Sequence, residues 1–80
     1  MTEKTPTIDL RLFATFASRS PANASRYPIA SGMTVAQLID TLEIPAAEVK
    51  LIFINGVRVQ PDAQVHGGER VGLFPPVGGG

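Results

Sequence analysis

The sequence contains no cysteine, which excludes a disulfide framework, a thiolate metal site and a cysteine nucleophile or persulfide carrier. This absence fits a reducing cytoplasm, where we expect the protein to act. Seven basic and seven acidic residues balance and are scattered, so there is neither a basic stripe for nucleic acid nor a polybasic membrane patch. Apolar runs are too short to span a membrane, and the polar start MTEKTPT lacks the apolar core of a signal peptide. We therefore expect neither nucleic acid nor a membrane as a partner.

The length and the hydrophobic content of the chain are sufficient for one folded domain. The chain has 80 residues, of which 44% are hydrophobic, a share typical of a globular protein. We predict a single domain over residues 1–74, followed by an extended tail over residues 75–80.

The first half of the chain contains two predicted strands and a helix. Residues 8–16 alternate with period two, which predicts a half-buried strand, and residues 17–23 are small and polar, which predicts a loop. Residues 26–30 form a weak strand that should lie at a sheet edge or be irregular, because Pro28 lacks an amide donor. Thr34 and Gln37 have the spacing of a capping box, and the apolar stripe that follows predicts a helix ending before Pro45.

The second half predicts a hairpin and a final strand. Asn55-Gly56 between apolar runs is typical of a two-residue type I′ turn, which pairs Ile54 with Val57 and Phe53 with Arg58. Turns are expected at residues 61–62 and 66–68, and residues 69–74 predict a last strand. If that strand pairs with the first, it is central, and the chain emerges from a rigid body. The element order indicates an α+β fold with one helix on a mixed sheet.

The strand periodicity separates two faces of this sheet. One face and the helix supply the predicted core, namely Ile8, Leu10, Leu12, Val35, Leu38, Ile39, Leu42, Ile52, Ile54, Val71 and Leu73. The other face carries Phe13, Phe53 and Phe74. Three aromatic residues on one sheet face favour a partner-binding patch, although isolated exposed aromatics are ordinary. Arg11, Arg58 and Arg70 share that face, where they either frame the patch or only increase solubility.

The tail LFPPVGGG raises a separate question, because three terminal glycines bury nothing and have much conformational freedom to lose. The ordinary interpretation is a frayed end. The alternative is an arm that must reach a partner through a narrow space. His66 lies in a glycine-rich turn with no carboxylate partner visible near it, and we interpret it as a solvated turn residue. We interpret Gly67-Gly68 as an internal turn.

Four segments together resemble the ubiquitin-like sulfur carriers, namely the small subunit of molybdopterin synthase (MoaD-type) and the thiamine sulfur carrier (ThiS-type). They are GMTVAQL at residues 32–38, INGV at 54–57, GGERV at 67–71 and FPPVGGG at 74–80. The resemblance implies a β-grasp, ubiquitin-like fold of one main helix on a mixed four- to five-stranded sheet, with a flexible Gly-Gly tail. Residues 17–31 show little helix signal, where molybdopterin-type members often carry an additional helix.

The resemblance also implies a mechanism in which the chain is a co-substrate and not itself an enzyme. An E1-like adenylyltransferase would use ATP and magnesium to activate the Gly80 carboxylate, and a sulfur donor enzyme would then convert it to a thiocarboxylate. Gly79 and Gly80 would enter the narrow active site, and the rest of the tail would lead them there (Pro75, Pro76, Val77 and Gly78). The carrier itself would bind no cofactor and no metal. Phe13, Phe53, Arg58, Arg70 and Phe74 would dock the partners.

Several alternatives stay open on the sequence. The sulfur acceptor is either a molybdopterin synthase large subunit, slightly favoured by the Phe-Pro-Pro-Val end, or a thiazole synthase. A protein modifier joined through Gly80 to a lysine, or a carrier for tRNA thiolation, would share the adenylation step. A plain interaction module would need no chemistry at the tail at all.

Overall fold

Five strands form one mixed sheet in the computed structural model, which describes residues 5–76. The strands are β1 (Thr7–Leu12), β2 (Tyr27–Pro28), β3 (Leu51–Ile54), β4 (Val57–Arg58) and β5 (Arg70–Phe74), and their order across the sheet is β2-β1-β5-β3-β4. β1 and β5 are parallel, and the other neighbours are antiparallel. The last strand therefore pairs with the first and lies in the centre of the sheet, so the condition under which the chain emerges from a central strand is met.

One α-helix, α1 (Val35–Thr41), begins at the predicted capping box. Thr34 Oγ1 accepts a hydrogen bond from the Gln37 amide at 3.2 Å, and Gln37 Oε1 accepts one from the Thr34 amide at 2.9 Å. The next free amides, of Val35 and Ala36, donate to carbonyls of the loop after β4. These bonds satisfy donors that a helix start leaves unpaired and fix that loop against the helix.

The helix ends through a local backbone reversal. Glu43 has a φ of +60°, and the Ile44 amide donates to the Ile39 carbonyl at 3.2 Å, which closes the helix in the manner of a Schellman motif. Pro45 follows and prevents continuation. The end therefore depends on a left-handed residue as well as on the predicted proline.

The core lies between α1 and the inner face of the sheet. All the predicted core residues are buried except Leu42, which is half-buried. Four further side chains that were not among the predicted core residues are also buried: Phe16, Ile29, Ile44 and Val65. Fully buried side chains of this size each contribute about 1.5–3 kcal/mol before entropy is subtracted.

The first strand is shorter than predicted. It ends at Leu12, and residues Ala14–Arg19 and Ala24–Arg26 form 3₁₀ helices where we expected strand and loop. Ala14 has a φ of +54°, which turns the chain out of the sheet, and its side chain is exposed instead of lying on the core face. Phe16 still reaches the core, although it does so from the 3₁₀ helix.

The hairpin and the edge strand agree with the sequence. Phe53 lies opposite Arg58 and Ile54 opposite Val57, and Asn55 and Gly56 have φ values of +52° and +82°, as a type I′ turn requires. β2 is a two-residue edge strand that contains Pro28. Val57 is 64% exposed although it points to the core side, because β4 is a short edge strand beyond the reach of α1.

Candidate docking face and the end of strand β5

The sheet face away from α1, which we call the outer face, is built by strand alternation. Inward residues of β1, β3 and β5 are buried, and the residues between them are exposed or half-buried, except Gly72, which is buried. Phe13, Phe53 and Phe74 belong to neither the buried core nor the half-buried side chains packed against it. The structure thus places the three aromatic residues where the strand periodicity predicted them.

The three rings form a continuous aromatic cluster. Phe13 stacks on Phe74 with ring centroids 4.2 Å apart and planes 3° from parallel. Phe53 meets Phe74 edge to face, at 5.6 Å and 77°. The edge-to-face pair is a favourable ring geometry, worth about 0.5–1.5 kcal/mol beyond burial, and the stacked pair is in direct contact. The cluster is therefore an ordered surface and not three separate exposed rings.

Gly72 is the floor of this cluster, although it was not among the site residues predicted from the sequence. It lies on β5 between Arg11 of β1 and Phe53 of β3. A Cβ atom at this position would lie 3.2 Å from Phe13 Cε2 and 3.7 Å from Phe74 Cε1. An isolated glycine inside a strand often marks such a close approach, and this signal was available in the sequence.

A shallow depression of about 230 Å³ opens over this floor, lined by the aromatic cluster, Gly72, Gly56 and two of the arginines, Arg11 and Arg70. Arg58 lies at the same face, on the cross-strand position beside Phe53, but it does not line the depression. The predicted site residues Phe13, Phe53, Arg58, Arg70 and Phe74 are thus brought together on one face. Their role in binding a partner stays a prediction.

One of the arginines on the outer face is neutralised. Arg11 donates to both carboxylate oxygens of Asp9, from Nε at 3.1 Å and from Nη2 at 2.9 Å. This hydrogen bonding, with a smaller contribution from the charge of Arg70, lowers the pKa of Asp9, and the same pair raises the pKa of Arg11. Within residues 5–76, neither Arg58 nor Arg70 has a carboxylate oxygen within 4.0 Å.

The root of the predicted tail adjoins the outer face. Phe74 ends β5 and also carries the central ring of the aromatic cluster. Its carbonyl accepts a hydrogen bond from the Lys50 amide at 2.8 Å. Pro75 is buried and Pro76 is exposed, so the packed body extends one residue past β5. The remaining predicted tail residues, Val77, Gly78, Gly79 and Gly80, lie outside the described residues.

His66 does not line this depression, but it has a carboxylate partner that was not predicted from the sequence. Its backbone amide donates to Glu69 Oε1 at 2.7 Å, and its Nδ1 lies 3.6 Å from Glu69 Oε2. Its side chain is 68% exposed, which agrees with a solvated turn residue. In the part of the chain that the structure describes, no group of three or more His, Cys, Asp or Glu side chains could hold a metal ion. Over the same residues, no helix is long and apolar enough to cross a membrane.

Comparisons with known proteins agree on a family and a fold. The model of the ThiS family matches residues 10–80, whereas no curated protein matches the chain. Among solved structures, the chain is similar to a Pyrococcus furiosus protein described as molybdopterin converting factor subunit 1, with 23% identity over 91% of this chain and 100% of that one and a TM-score of 0.70.

Two proteins of Haloferax volcanii are also similar. One is the HVO 2177 protein, with 26% identity over 100% of this chain and 92% of that one and a TM-score of 0.70. The other is SAMP1, a small archaeal modifier protein, with 22% identity over 92% and 99% and a TM-score of 0.66. These likenesses confirm the expected fold, a β-grasp with one main helix and a five-stranded mixed sheet.

Proposed function

Since the chain belongs to the ThiS family of ubiquitin-like sulfur carriers, we propose that its Gly80 carboxylate is adenylated by an E1-like enzyme and converted to a thiocarboxylate. The observation that carries this proposal is the extent of the family match, which runs through the glycine end to Gly80. The thiocarboxylate then donates sulfur in cofactor biosynthesis.

The chemistry explains why a carrier needs few reactive groups of its own. A carboxylate is a poor electrophile, so its oxygen first attacks the α-phosphorus of ATP, and pyrophosphate leaves. A donor at the level of hydrosulfide then attacks the acyl carbon, AMP leaves, and sulfur replaces one oxygen. ATP and magnesium belong to the activating enzyme, and sulfur comes from a separate donor enzyme.

The carrier supplies only an accessible carboxylate, which accords with a chain that has no cysteine. We therefore regard it as a co-substrate and not an enzyme, acting in the cytoplasm, where ATP is supplied.

The fold supports this proposal by the way it holds the tail. β5 is flanked by β1 and β3, so the strand that precedes the tail is fixed on both sides. Pro75 and Pro76 have restricted φ angles, which reduces the entropy lost when an arm enters a partner. Glycine at positions 79 and 80 lets another backbone or a nucleotide approach closely.

The outer face supplies the docking surface in this proposal. It is apolar at the centre, ordered by two ring contacts, and joined to the tail through Phe74. A partner seated on it would find the root of the arm at the edge of the interface. The activating enzyme and the synthase would use this face in turn, since each needs the same carboxylate.

We favour molybdopterin synthesis as the pathway, with the synthase large subunit as the second partner, because of the Phe-Pro-Pro-Val end. The thiamine pathway, with a thiazole synthase, is the alternative. Supplying the thiocarboxylated protein to each purified synthase in turn distinguishes them: only the cognate one should release product and return the free carboxylate.

A second candidate is a protein modifier. The similarity in fold to a small archaeal modifier protein fits this function, although it concerns the fold alone. A modifier shares the adenylation step but ends in an amide bond between Gly80 and a lysine. A carrier for tRNA thiolation would instead end in a thiocarboxylate, as proposed here, with a different acceptor.

Pyrophosphate exchange tests the first step. The purified E1-like enzyme of the same genome should exchange labelled pyrophosphate into ATP only when this protein is present. A variant extended by one residue beyond Gly80 keeps every described contact and should support no exchange. Equal exchange with the extended variant, or none with the native protein, would show that the carboxylate is not the reacting group.

A further inference from the structure

The turn that joins β3 to β4 exposes the dipeptide Asn55-Gly56 to water. A Cβ atom added at Gly56 would meet nothing within 4 Å, so the backbone of the turn is open on that side. Asparagine followed by glycine is the least hindered arrangement for attack of a backbone nitrogen on a side-chain amide, because glycine has no side chain beside that nitrogen. The turn therefore holds a reactive pair at the surface.

Asn55 also joins the hairpin to the central strand. Its backbone amide donates to the Arg70 carbonyl at 2.8 Å, and its side-chain Oδ1 accepts a hydrogen bond from the Arg70 amide at 2.9 Å. These two bonds hold the Asn55 side chain toward the start of β5. The side-chain amide is thus held by a neighbouring strand, while the glycine that follows it is exposed.

We propose that Asn55 is a site of spontaneous deamidation and isomerisation, and that the bond from the Arg70 amide restrains this reaction in the folded protein. When the turn opens, the Gly56 nitrogen attacks Cγ of Asn55 and closes a five-membered succinimide ring. The side-chain nitrogen leaves as ammonia and takes the proton that Gly56 loses, and water then opens the ring. One water is consumed, one ammonia is released, and nothing is oxidised or reduced. The reaction needs no enzyme, so it is independent of the proposed sulfur transfer.

The ring opens in two ways, and the fold predicts different consequences. Attack of water on Cγ gives aspartate with a normal backbone, whose carboxylate can still accept from the Arg70 amide. Attack on the backbone carbonyl gives isoaspartate, in which the main chain runs through Cβ and Cγ and is one atom longer.

The longer chain does not fit the hairpin, because a type I′ turn fixes two residues between the strands. The pairing of Ile54 with Val57 and the bond from the Val59 amide to the Ile52 carbonyl should therefore be lost. Among the described strands, β4 lies at the sheet edge beside β3 alone. The damage should thus remove β4 and leave the pairing of β1, β5 and β3 intact.

Asn23, the other asparagine of the chain, is an internal control. It is exposed and its side chain makes no capping hydrogen bond, but the next residue is Ala24, whose methyl group hinders the attacking nitrogen. Trypsin, which cleaves after lysine and arginine, releases Asn23 within residues 20–26 and Asn55 within residues 51–58. Both sites are therefore read in one digest.

The experiment ages the full-length protein for days in mildly alkaline buffer, with and without urea, and follows both peptides by mass spectrometry with fragmentation that separates isoaspartate from aspartate. In urea, Asn55 should convert about tenfold faster than Asn23. In the native protein, Asn55 should convert about tenfold more slowly than in urea, because the turn and its hydrogen bond persist. Isoaspartate should still accumulate there, and protein isoaspartyl methyltransferase should methylate the aged native protein but not the fresh one.

Variants separate the reactive pair from its restraint. Gly56→Ala places a methyl group beside the attacking nitrogen and should slow the reaction in urea about tenfold. Arg70→Pro removes the amide that binds Oδ1, at the first residue of a strand where proline is tolerated, whereas Arg70→Ala keeps that amide. Native Arg70→Pro should therefore deamidate several times faster than Arg70→Ala. If Arg70→Pro does not fold, the comparison of native and urea rates in the wild type decides the same point.

Thermal unfolding tests the consequence for the hairpin. Asn55→Asp should unfold near the wild type, since its carboxylate accepts the same hydrogen bond, whereas purified isoaspartyl protein should unfold at a lower temperature. Equal stability of these two forms would refute the predicted loss of β4. Equal conversion of Asn55 and Asn23 in urea, or no isoaspartate in the aged native protein, would remove Asn55 as a modification site. A native rate equal to the rate in urea would show that the Arg70 amide restrains nothing.

Discussion

Substitution of Gly72 by alanine places a new methyl group against the aromatic cluster. In Gly72→Ala the new Cβ would lie 3.2 Å from Phe13 Cε2, whereas carbon atoms prefer about 3.5–4.0 Å. The Phe13 ring must therefore retreat by a few tenths of an ångström, and it can do so because it is 38% exposed. Partial loss of the ring stack costs up to about 0.5–1.5 kcal/mol. Reduced freedom of the unfolded chain offsets this by about 0.4–1 kcal/mol. The free energy of unfolding should change by less than about 1 kcal/mol.

Gly56→Ala is the matched control, because at Gly56 the space for a methyl group is free but the backbone conformation is unfavourable to a side chain. Nothing lies within 4 Å of a Cβ at Gly56, but its φ of +82° is left-handed, which costs a side chain about 1–2 kcal/mol. Urea unfolding should therefore rank Gly72→Ala near the wild type and Gly56→Ala below it. Aromatic proton shifts of Phe13 and Phe74 should move only in Gly72→Ala. Equal destabilisation of both variants, or unmoved ring signals in Gly72→Ala, would refute the assignment of Gly72 as the floor.

Three further predictions concern the core, the outer face and acid. Leu38→Ala removes a fully buried side chain and should cost about 2–5 kcal/mol. Leu42→Ala, at the residue that ends the same helix, should cost less because Leu42 is half-buried. Equal melting temperatures of the two variants would contradict this packing. Phe53→Asp should leave the fold largely intact, since the new carboxylate faces an arginine across the strand pair, yet weaken binding to the adenylyltransferase; unchanged affinity would remove the cluster from the interface. Because the pKa of Asp9 is lowered, its ion pair with Arg11 stabilises the protein above pH 3.8, the ordinary pKa of this side chain. This stabilisation is lost as the pH falls below 3.8 and through the lower pKa of the folded state. Thermal unfolding against pH should show this acid loss in the wild type and less of it in Asp9→Asn.

Local signals made the helix and the hairpin predictable. The side chains of Thr34 and Gln37 each accept a hydrogen bond from the other residue's backbone amide. The spacing of these two residues was therefore enough to predict the start of α1. Asn55-Gly56 fixed the register of β3 and β4, because a two-residue turn permits one pairing. Alternation along the strands then placed the three aromatic residues on the face away from the helix.

The region after β1 could not be predicted in the same way. Ala14 adopts a positive φ, which alanine rarely does and which no local pattern announces. The period-two pattern continued to Phe16, although the strand ended at Leu12. Phe16 nevertheless reaches the core from the 3₁₀ helix, because burying a large apolar side chain is favourable in a strand and in a 3₁₀ helix alike. Ile29 and Val65 are buried from loop segments, where burial depends on tertiary contacts and not on periodicity.

The outer face was predicted in composition but not in organisation. Sequence alternation gave its aromatic and arginine residues, but the stacking of Phe13 on Phe74 depends on the parallel pairing of β1 with β5. The neutralisation of Arg11 by Asp9 follows from their positions two residues apart on one strand face. This pairing was available in the sequence, whereas the position of Asp9 opposite Arg70, across β1 and β5, required the structure.

Formation of a thiocarboxylate at Gly80 is tested most directly by the mass of the C-terminal peptide after the sulfur-transfer reaction. The protein is incubated with its adenylyltransferase, ATP, magnesium and a sulfur donor, and then digested with trypsin. Cleavage after Arg70 yields residues 71–80, which contain neither methionine nor cysteine, so methionine oxidation cannot imitate the replacement of oxygen by sulfur. We expect this peptide to gain one sulfur in place of one oxygen and to react with a thiol-directed alkylating agent. An unmodified peptide from the native protein, or an equally modified peptide from the variant extended beyond Gly80, would contradict this expectation.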